Sequence, residues 1–275
     1  MPSTTTTPKL VIFTDLDGSL LDRETYSFEP AQPALRLIRE KRIPLILTSS
    51  KTRAEIELYR KKLGNDHPFI AENGGAIFIP KDYFPFSFPY DRETEAYLAL
   101  ELGTYYPRIL QALAAIKTET GVPIRSFHDL TEEELASLCG LSREEAALAK
   151  QREYDEPFLL EGGEKEREAV QRKIREKGLN YVWGGRFHHL LGKNDKGKAV
   201  EILKKLYEIE FHSMVTVGIG DSLNDLPMLT AVDRPILLQG EDLLLPEIPS
   251  SQPLTLIRGA GPRAWNAAIL QLLRS

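Results

Sequence analysis

The sequence predicts an α/β fold, a Rossmann-like parallel sheet core interrupted by an inserted α+β unit. Three observations carry this. Two apolar runs, Leu10-Val11-Ile12-Phe13 and Val215-Thr216-Val217-Gly218-Ile219-Gly220, have the β-branched continuity of strands buried on both faces, and each runs into aspartates. Strand and helix patterns alternate from residue 10 to residue 79, as in a parallel layer covered by helices. At Pro80–Pro89, rich in Pro and aromatic residues, the alternation stops, and a different mixture of helices and a hairpin follows.

Taken in order, residues 1–8 carry four threonines and neither a basic nor an apolar signal region, and read as a disordered tail. After the first strand, Pro33–Arg42 is a helix with Leu35 and Ile38 on one face. Ile43–Leu47 is a strand, and Thr52–Leu63 a helix with Ile56, Tyr59 and Leu63 at matching spacing. Pro68–Ala71 and Ala76–Ile79 are short strands around the Gly74-Gly75 turn. Pro80–Pro89 suits a hinge, so the insert is placed at 86–190 and the core at 1–85 and 191–275. Within the insert, Tyr105–Thr120 is a helix closed by Gly121, and two capping boxes, Thr131-x-x-Glu134 and Ser142-x-x-Glu145, announce two short helices. Phe158–Leu160 is a strand, Glu164–Lys177 a charged helix closed by Gly178. Tyr181–Trp183 and Arg186–Leu191 form a hairpin about Gly184-Gly185. The core resumes with a helix from Lys196 to about Glu208, the strand before Asp221, and a strand over Pro235–Leu238.

A chain of 275 residues can bury a sizeable core. A formal net charge of −5, with basic residues interspersed, argues against general affinity for nucleic acid or an anionic membrane. An anionic substrate must then be captured by local Arg, Lys or a metal ion. The single Cys139 excludes an intramolecular disulfide framework and suits a reducing, cytoplasmic setting. No apolar stretch approaches the roughly 20 residues of a membrane span. Oligomeric state leaves no trace in the sequence.

The chemistry concentrates where strands end. Asp15-Leu16-Asp17-Gly18-Ser19 follows the first strand, and Asp221-Ser222-Leu223-Asn224-Asp225 follows the strand at 215–220. Parallel strands deliver their C-terminal ends to one edge, where ligands of open α/β sheets bind. Two acid clusters there can converge on a cation, and Mg²⁺ suits oxygen ligands and phosphate. A capping box, with Asp225 in the role of Glu, accounts for Ser222 and Asp225 but not for Asp221. Thr48-Ser49-Ser50-Lys51 ends another strand and offers hydroxyls and amides to phosphate oxygens, although each hydroxyl alone reads as an ordinary N-cap. Lys196 starts a helix, against the dipole; alone, it reads as a surface lysine.

Taken together, DLDGS, Ser49, Lys196-Gly197 and GDSLND stand in the order and spacing of the haloacid dehalogenase-like phosphatases, which this chain resembles over essentially its whole length after the first eight residues. Ser19 and Ser49 stand where Thr is commoner in that superfamily, and both keep the hydroxyl. Glu72-Asn73-Gly74-Gly75, the long insert, Arg152-Glu153-Tyr154-Asp155-Glu156 and Gly184-Gly185-Arg186-Phe187-His188 narrow the resemblance to the mannosyl-3-phosphoglycerate phosphatase family. In that branch the insert is a cap after the third core strand.

The resemblance implies Mg²⁺-dependent hydrolysis of mannosyl-3-phosphoglycerate to mannosylglycerate, a compatible solute, with Mn²⁺ and Co²⁺ as alternative metals. Asp15 is implied as nucleophile and Asp17 as general acid and base. Ser49 and Lys196 are implied on the phosphoryl oxygens, with the metal on Asp15, the Asp17 carbonyl and Asp221. Asn224 and Asp225 stand behind them. Arg186, His188, Arg152 and Asn73 are the candidates for substrate contact, with the cap setting specificity. The bland readings remain beside these: a surface ion pair for Arg186, an outward-facing hairpin residue for His188, a cap-stabilising role for Arg152. His189 alternates with His188, so one of the two faces the cleft. Phosphatases for glucosyl-3-phosphoglycerate or sucrose phosphate, a phosphomutase, and a non-enzymatic metal- or phosphate-binding regulator are the alternatives on the same fold.

Overall fold

The computed structural model describes residues 8–183, 186–240 and 253–274; the tail before Pro8 and the Gly184-Gly185 turn lie outside them. In chain order the strands are β1 (Lys9–Thr14), β2 (Leu45–Thr48), β3 (Phe69–Ala71), β4 (Ala76–Pro80), β5 (Arg92–Glu93), β6 (Tyr97–Glu101), β7 (Ile124–Ser126), β8 (Asp155–Leu160), β9 (Asn180–Trp183), β10 (His188–Leu191), β11 (Met214–Gly220), β12 (Arg234–Gln239) and β13 (Thr255–Arg258). The helices are α1 (Gln32–Glu40), α2 (Arg53–Leu63), α3 (Tyr106–Thr120), α4 (Glu132–Cys139), α5 (Arg143–Ala149), α6 (Glu164–Glu176), α7 (Lys196–Phe211), α8 (Leu226–Ala231) and α9 (Gly261–Arg274).

The core sheet runs β13-β12-β11-β1-β2-β3-β4-β6-β5. From β13 to β3 it is parallel, and β4, β6 and β5 add antiparallel strands at one edge. Alternation along β1 explains the helices on both faces. Ile12 packs with α1, α2 and α9 through Leu35, Ile56 and Trp265. Val11 and Phe13 pack with α7 and α8 through Leu203, Tyr207 and Met228. β1 lies between β11 and β2 with Thr14 opposite Ile219, so Asp15 and Asp221 leave the sheet at one edge.

The boundary of the insert differs from the sequence expectation. Pro80–Pro89 is not a crossing: Phe84 is buried against Tyr207, and Phe86 and Phe88 pack on the same core cluster. β6 then pairs with β4 from Ala76↔Glu101 to Pro80↔Tyr97. The core therefore extends to Glu101, and the chain crosses at residues 102–105 and 192–195. The apolar rings of the Pro-rich segment gain more by burial on the sheet edge than they could in a hinge. β13 and α9 lie C-terminal to the last element the sequence predicts. Trp265 of α9 is fully buried, and its Nε1 donates to Thr14 Oγ1 at 2.9 Å.

The insert is a second unit around the antiparallel sheet β7-β8-β10-β9. α3 and α6 cover one face through Ile109, Leu113, Val170 and Ile174, packed on Phe158 and Leu190. The expected capping boxes start α4 and α5, where Thr131 and Ser142 exchange hydrogen bonds with Glu134 and Glu145. These helices form a small cluster with Phe127, Leu130 and Phe187 beside the other face of the sheet, which looks onto the core.

Candidate active site

The floor of the cleft is a set of buried charges at the ends of β1 and β11. Asp15 is fixed by its N–H, which donates to Ile219 O at 2.9 Å. Lys196, the first residue of α7, places Nζ 2.6 Å from Asp15 Oδ1 and 2.6 Å from Asp225 Oδ1. Burial works against its charge, but the two carboxylates outweigh it and hold Lys196 above the usual lysine value. Asp225 Oδ2 accepts the N–H groups of Asp221 and Ser222 and the Ser222 hydroxyl. The capping geometry read from sequence is thus present, and the same carboxylate also grips the lysine.

Asp221 Oδ1 accepts from Ser19 Oγ at 3.0 Å, and its Oδ2 pairs with Arg23. Burial, together with the charge of Asp225, pushes Asp221 up to about 6. Burial also carries Asp15 well above the ordinary carboxylate range, with Asp225 and Asp221 adding to it and Lys196 opposing. These are carboxylates short of positive charge. Oxygens of Asp15, Asp221 and Asp225 lie within 4.8 Å of one another. Asp17 Oδ1 is buried with no hydrogen-bond partner. Gly18, at φ +84°, leaves no space for a side chain, because a Cβ there would collide with Asp221 and Arg23. Hard oxygen donors converging with excess negative charge fit a divalent cation of the Mg²⁺ class.

Two cations of this floor escaped the sequence reading. Arg23 is one. Lys51 is the other: its buried Nζ lies 3.0 Å from Asp17 Oδ2 and 3.5 Å from Glu55 Oε1, over the ring of Tyr26. Burial disfavours its charge, but Asp17 and Glu55 raise its pKa above the usual lysine value. The available signal was the capping box Thr52-x-x-Glu55 directly after Lys51, which fixes where the side chains of that turn point. Ser49 is buried beside it. Its Oγ accepts the Lys51 N–H, and Ser50 and Lys51, rather than Ser49, line the cleft.

The roof comes from the cap. Pairing of His189 with Pro157 places both on the face toward the core, and both line the cleft with Phe127, Arg152, Arg186 and Phe187. His188 pairs with Phe158 and lies on the opposite, helix-covered face. There its ring stacks with Tyr181 and Trp183, and Nδ1 bonds the Tyr181 hydroxyl. Of the two histidines the cleft therefore receives His189, not His188, because strand register fixes the face. Arg152 lies over the Phe127 ring and donates to Ser50 O at 2.8 Å and Ala149 O at 3.1 Å. Arg186 is exposed and stacks over Phe187.

Asn73 does not line the cleft. It sits in a left-handed turn at φ 54°, where Asn is tolerated, and ties core to cap. Its Nδ2 donates to Asp155 Oδ2 at 2.7 Å, and its Oδ1 accepts from Asn224 Nδ2 at 3.3 Å. Beside it, the Glu72 carboxylate accepts the N–H groups of Glu153, Tyr154 and Asp155. Burial pushes Glu72 up to about 8 despite Arg152 and these amides. Gly74 closes the turn where a Cβ would strike the Asp195 backbone, so the N-terminus of α7 packs against it. Thr52 Oγ1 and the Tyr26 hydroxyl donate to cap carbonyls of Leu148 and Cys139. Cap and core are docked, with a cavity of about 240 Å³ between them.

Comparison with known proteins bears on this site. A family model for haloacid dehalogenase-like hydrolases matches residues 12–100. The glucosyl-3-phosphoglycerate/mannosyl-3-phosphoglycerate phosphatase of Methanococcoides burtonii is 49% identical over 96% of this chain and 97% of its own length. The mannosyl-3-phosphoglycerate phosphatase of Pyrococcus furiosus is 39% identical over 83% of this chain and 90% of its own. Among solved structures, the HAD subclass IIB sugar phosphatase BT4131 superposes with a TM-score of 0.63, covering 97% of this chain and 99% of that one at 18% identity, a likeness of fold.

Proposed function

The chain belongs to the haloacid dehalogenase-like hydrolases and is a phosphoric monoester hydrolase, and from that premise we propose that it dephosphorylates both mannosyl- and glucosyl-3-phosphoglycerate. One observation carries the reaction: Asp15 lies against Lys196 and beside Asp221, on the floor of a cleft roofed by Arg152 and Arg186. Inclusion of the glucosyl ester follows the relative that shares most of this chain's length. The products would be mannosylglycerate, which the resemblance implies is a compatible solute, and glucosylglycerate. The setting is the cytoplasm; among the described residues no helix is long and apolar enough to cross a membrane.

The proposed chemistry assigns a role to each group. Asp15 attacks phosphorus and forms an aspartyl-phosphate as the P–O bond to the glycerate oxygen breaks. Lys51 holds Asp17 Oδ2, which leaves the unpartnered Oδ1 to give a proton to the departing oxygen and later to take one from the hydrolytic water. Lys196 fixes the Asp15 carboxylate and meets the phosphoryl oxygens, while Ser49, buried behind the cleft, holds the Lys51 amide in place. Asp225 holds Lys196 in place. A Mg²⁺ held by Asp15, the Asp17 carbonyl and Asp221 would offset the repulsion between carboxylates and an anionic substrate. The cap closes over the site and supplies specificity, with Arg152 and Arg186 presenting guanidinium groups to the glycerate carboxylate.

Phosphate release from mannosyl-3-phosphoglycerate, its glucosyl analogue and sucrose phosphate, each with Mg²⁺ and with a chelator, tests this reading. Turnover of the first two in Mg²⁺, little of the third, and loss of activity on chelation are expected. Preference for sucrose phosphate would overturn the substrate assignment, and full activity in chelator the metal assignment.

A further inference from the structure

The cap side of the cleft is rich in hydrogen-bond donors and poor in acceptors. Arg152 and Arg186 donate only, Phe127, Pro157 and Phe187 are apolar, and Cys139 is at best a weak acceptor. A hexosyl group brings hydroxyls, each of which donates as well as accepts, so a sugar roofed by guanidinium groups alone would leave O–H donors unpaired. His189 is the exception on this wall. It is buried, it lines the cleft, and its Nδ1 lies 3.0 Å from both oxygens of Asp155.

Asp155 fixes the state of that ring. It is fully buried, and Asn73 Nδ2 donates to its Oδ2 at 2.7 Å. Two N–H groups, Asn73 Nδ2 and the imidazole Nδ1, meet this carboxylate, an arrangement that suits its ionised form. An ionised carboxylate only accepts, so Nδ1 carries the ring proton. Nε2, on the opposite edge, makes no hydrogen bond among the described residues. In the neutral ring this nitrogen is an acceptor.

We propose that His189 is a specificity-determining residue whose Nε2 accepts a hydrogen bond from a sugar hydroxyl of the substrate, and that Asp155 is the positioning residue that sets its tautomer and orientation. The inference deepens the reading of the protein as a hexosyl-3-phosphoglycerate phosphatase and rests on it. It also links the sugar to the core. Asp155 accepts from Asn73, and Asn73 bonds Asn224 of the catalytic edge, so the histidine's carboxylate partner is tied to the core.

The test compares His189→Ala, His189→Gln and Asp155→Asn on the better hexosyl substrate, on its monodeoxy analogues and on p-nitrophenyl phosphate, with thermal unfolding as a check of folding. His189→Ala should lower kcat/KM for the hexosyl substrate about 10- to 100-fold more than for p-nitrophenyl phosphate, the scale of leaving one polar partner unpaired. The wild type should discriminate against one monodeoxy analogue, and His189→Ala should not. His189→Gln, whose amide oxygen reaches the place of Nε2, should recover at least about fivefold of the loss, the worth of one neutral hydrogen bond. Asp155→Asn should show the same selectivity for the hexosyl substrate, with a smaller loss. Equal losses on both substrates, a Gln variant no better than Ala, or undiminished discrimination among deoxy analogues in His189→Ala would overturn the proposal. A wild type that hydrolyses p-nitrophenyl phosphate but neither hexosyl-phosphoglycerate would overturn the functional reading instead. The same variants on the sugar phosphate it turns over best then decide the role of His189.

Discussion

On the core wall of the cleft the reactive charges are sunk and paired. Lys196 lies between Asp15 and Asp225, and Asp225 is pinned again by two backbone amides and a hydroxyl. On the cap wall Arg186 is exposed and, among the described residues, stacks on the ring of its neighbour Phe187, and Arg152 makes its hydrogen bonds to two carbonyls. The difference separates two tasks. A group that must act on the phosphoryl in every turnover is over-determined by strand ends and buried partners, at the cost of desolvating several charges. A group that only recognises the rest of the substrate can sit on a surface that moves with the cap.

The sharpest way to break this contrast is Asp15→Asn. It should remove activity on hexosyl-phosphoglycerate and on p-nitrophenyl phosphate alike, by several orders of magnitude, while the circular dichroism spectrum stays the same. Residual turnover of either ester near the wild-type rate would take the nucleophile away from the core wall.

Arg186→Ala should be selective instead. A loss of about 2–4 kcal/mol in kcat/KM is expected for the hexosyl substrate, the scale of unpairing a bound carboxylate, with a much smaller loss on p-nitrophenyl phosphate. Lysine at this position should restore only part, because it lacks the planar fork. Equal losses on both esters would move Arg186 from recognition to the phosphoryl site or to cap folding.

The charge imbalance of the core wall should also appear in stability. Asp221 has a folded value of about 6, above the roughly 3.9 of a free aspartate, so the folded state binds more protons between these values. Stability of the metal-free protein should therefore fall as pH rises from about 4 through about 6. Mg²⁺ should raise the melting temperature more at pH 7.5 than at pH 5, because it binds the deprotonated carboxylates. A Mg²⁺ shift equal at both pH values would argue against ion binding by these aspartates.

The smallest effect concerns how the walls are joined. Lys62→Ala removes an ion pair across the seam, 3.6 Å from Glu145, with Lys62 exposed and Glu145 half-buried. Denaturant unfolding should change by under about 0.5 kcal/mol, the usual worth of such pairs. A larger change would mean that surface charge, rather than the buried Glu72 with its three cap amides, holds the cap on the core.

Much of the core wall was legible in the sequence. Asp15 and Asp221 follow unbroken apolar runs, and in a parallel sheet such runs have one place to end. Lys196 gave no such signal by itself; the resemblance brought it in, and burial between two carboxylates explains why it is there. Lys51 was hidden because a lysine just ahead of a helix N-cap looks solvated until the partners facing it are known. The cap was harder. His188 and His189 are chemically identical neighbours, and a register of one residue decides which meets the cleft. Asn73 reads as a site residue from its place in a motif, yet its side chain, like that of Glu72 beside it, serves the seam.

Sequence alone determined the alternating α/β core, the strand-end acids, the capped helices of the insert and the superfamily. These follow from local periodicity and from motifs whose residues are close along the chain. Only the tertiary structure decided where the core ends, which histidine faces the cleft, and what Lys51, Arg23 and Glu72 touch. Each of those depends on partners tens to hundreds of residues away, and burial beside such a partner, not residue type, fixes the charge and direction of a side chain.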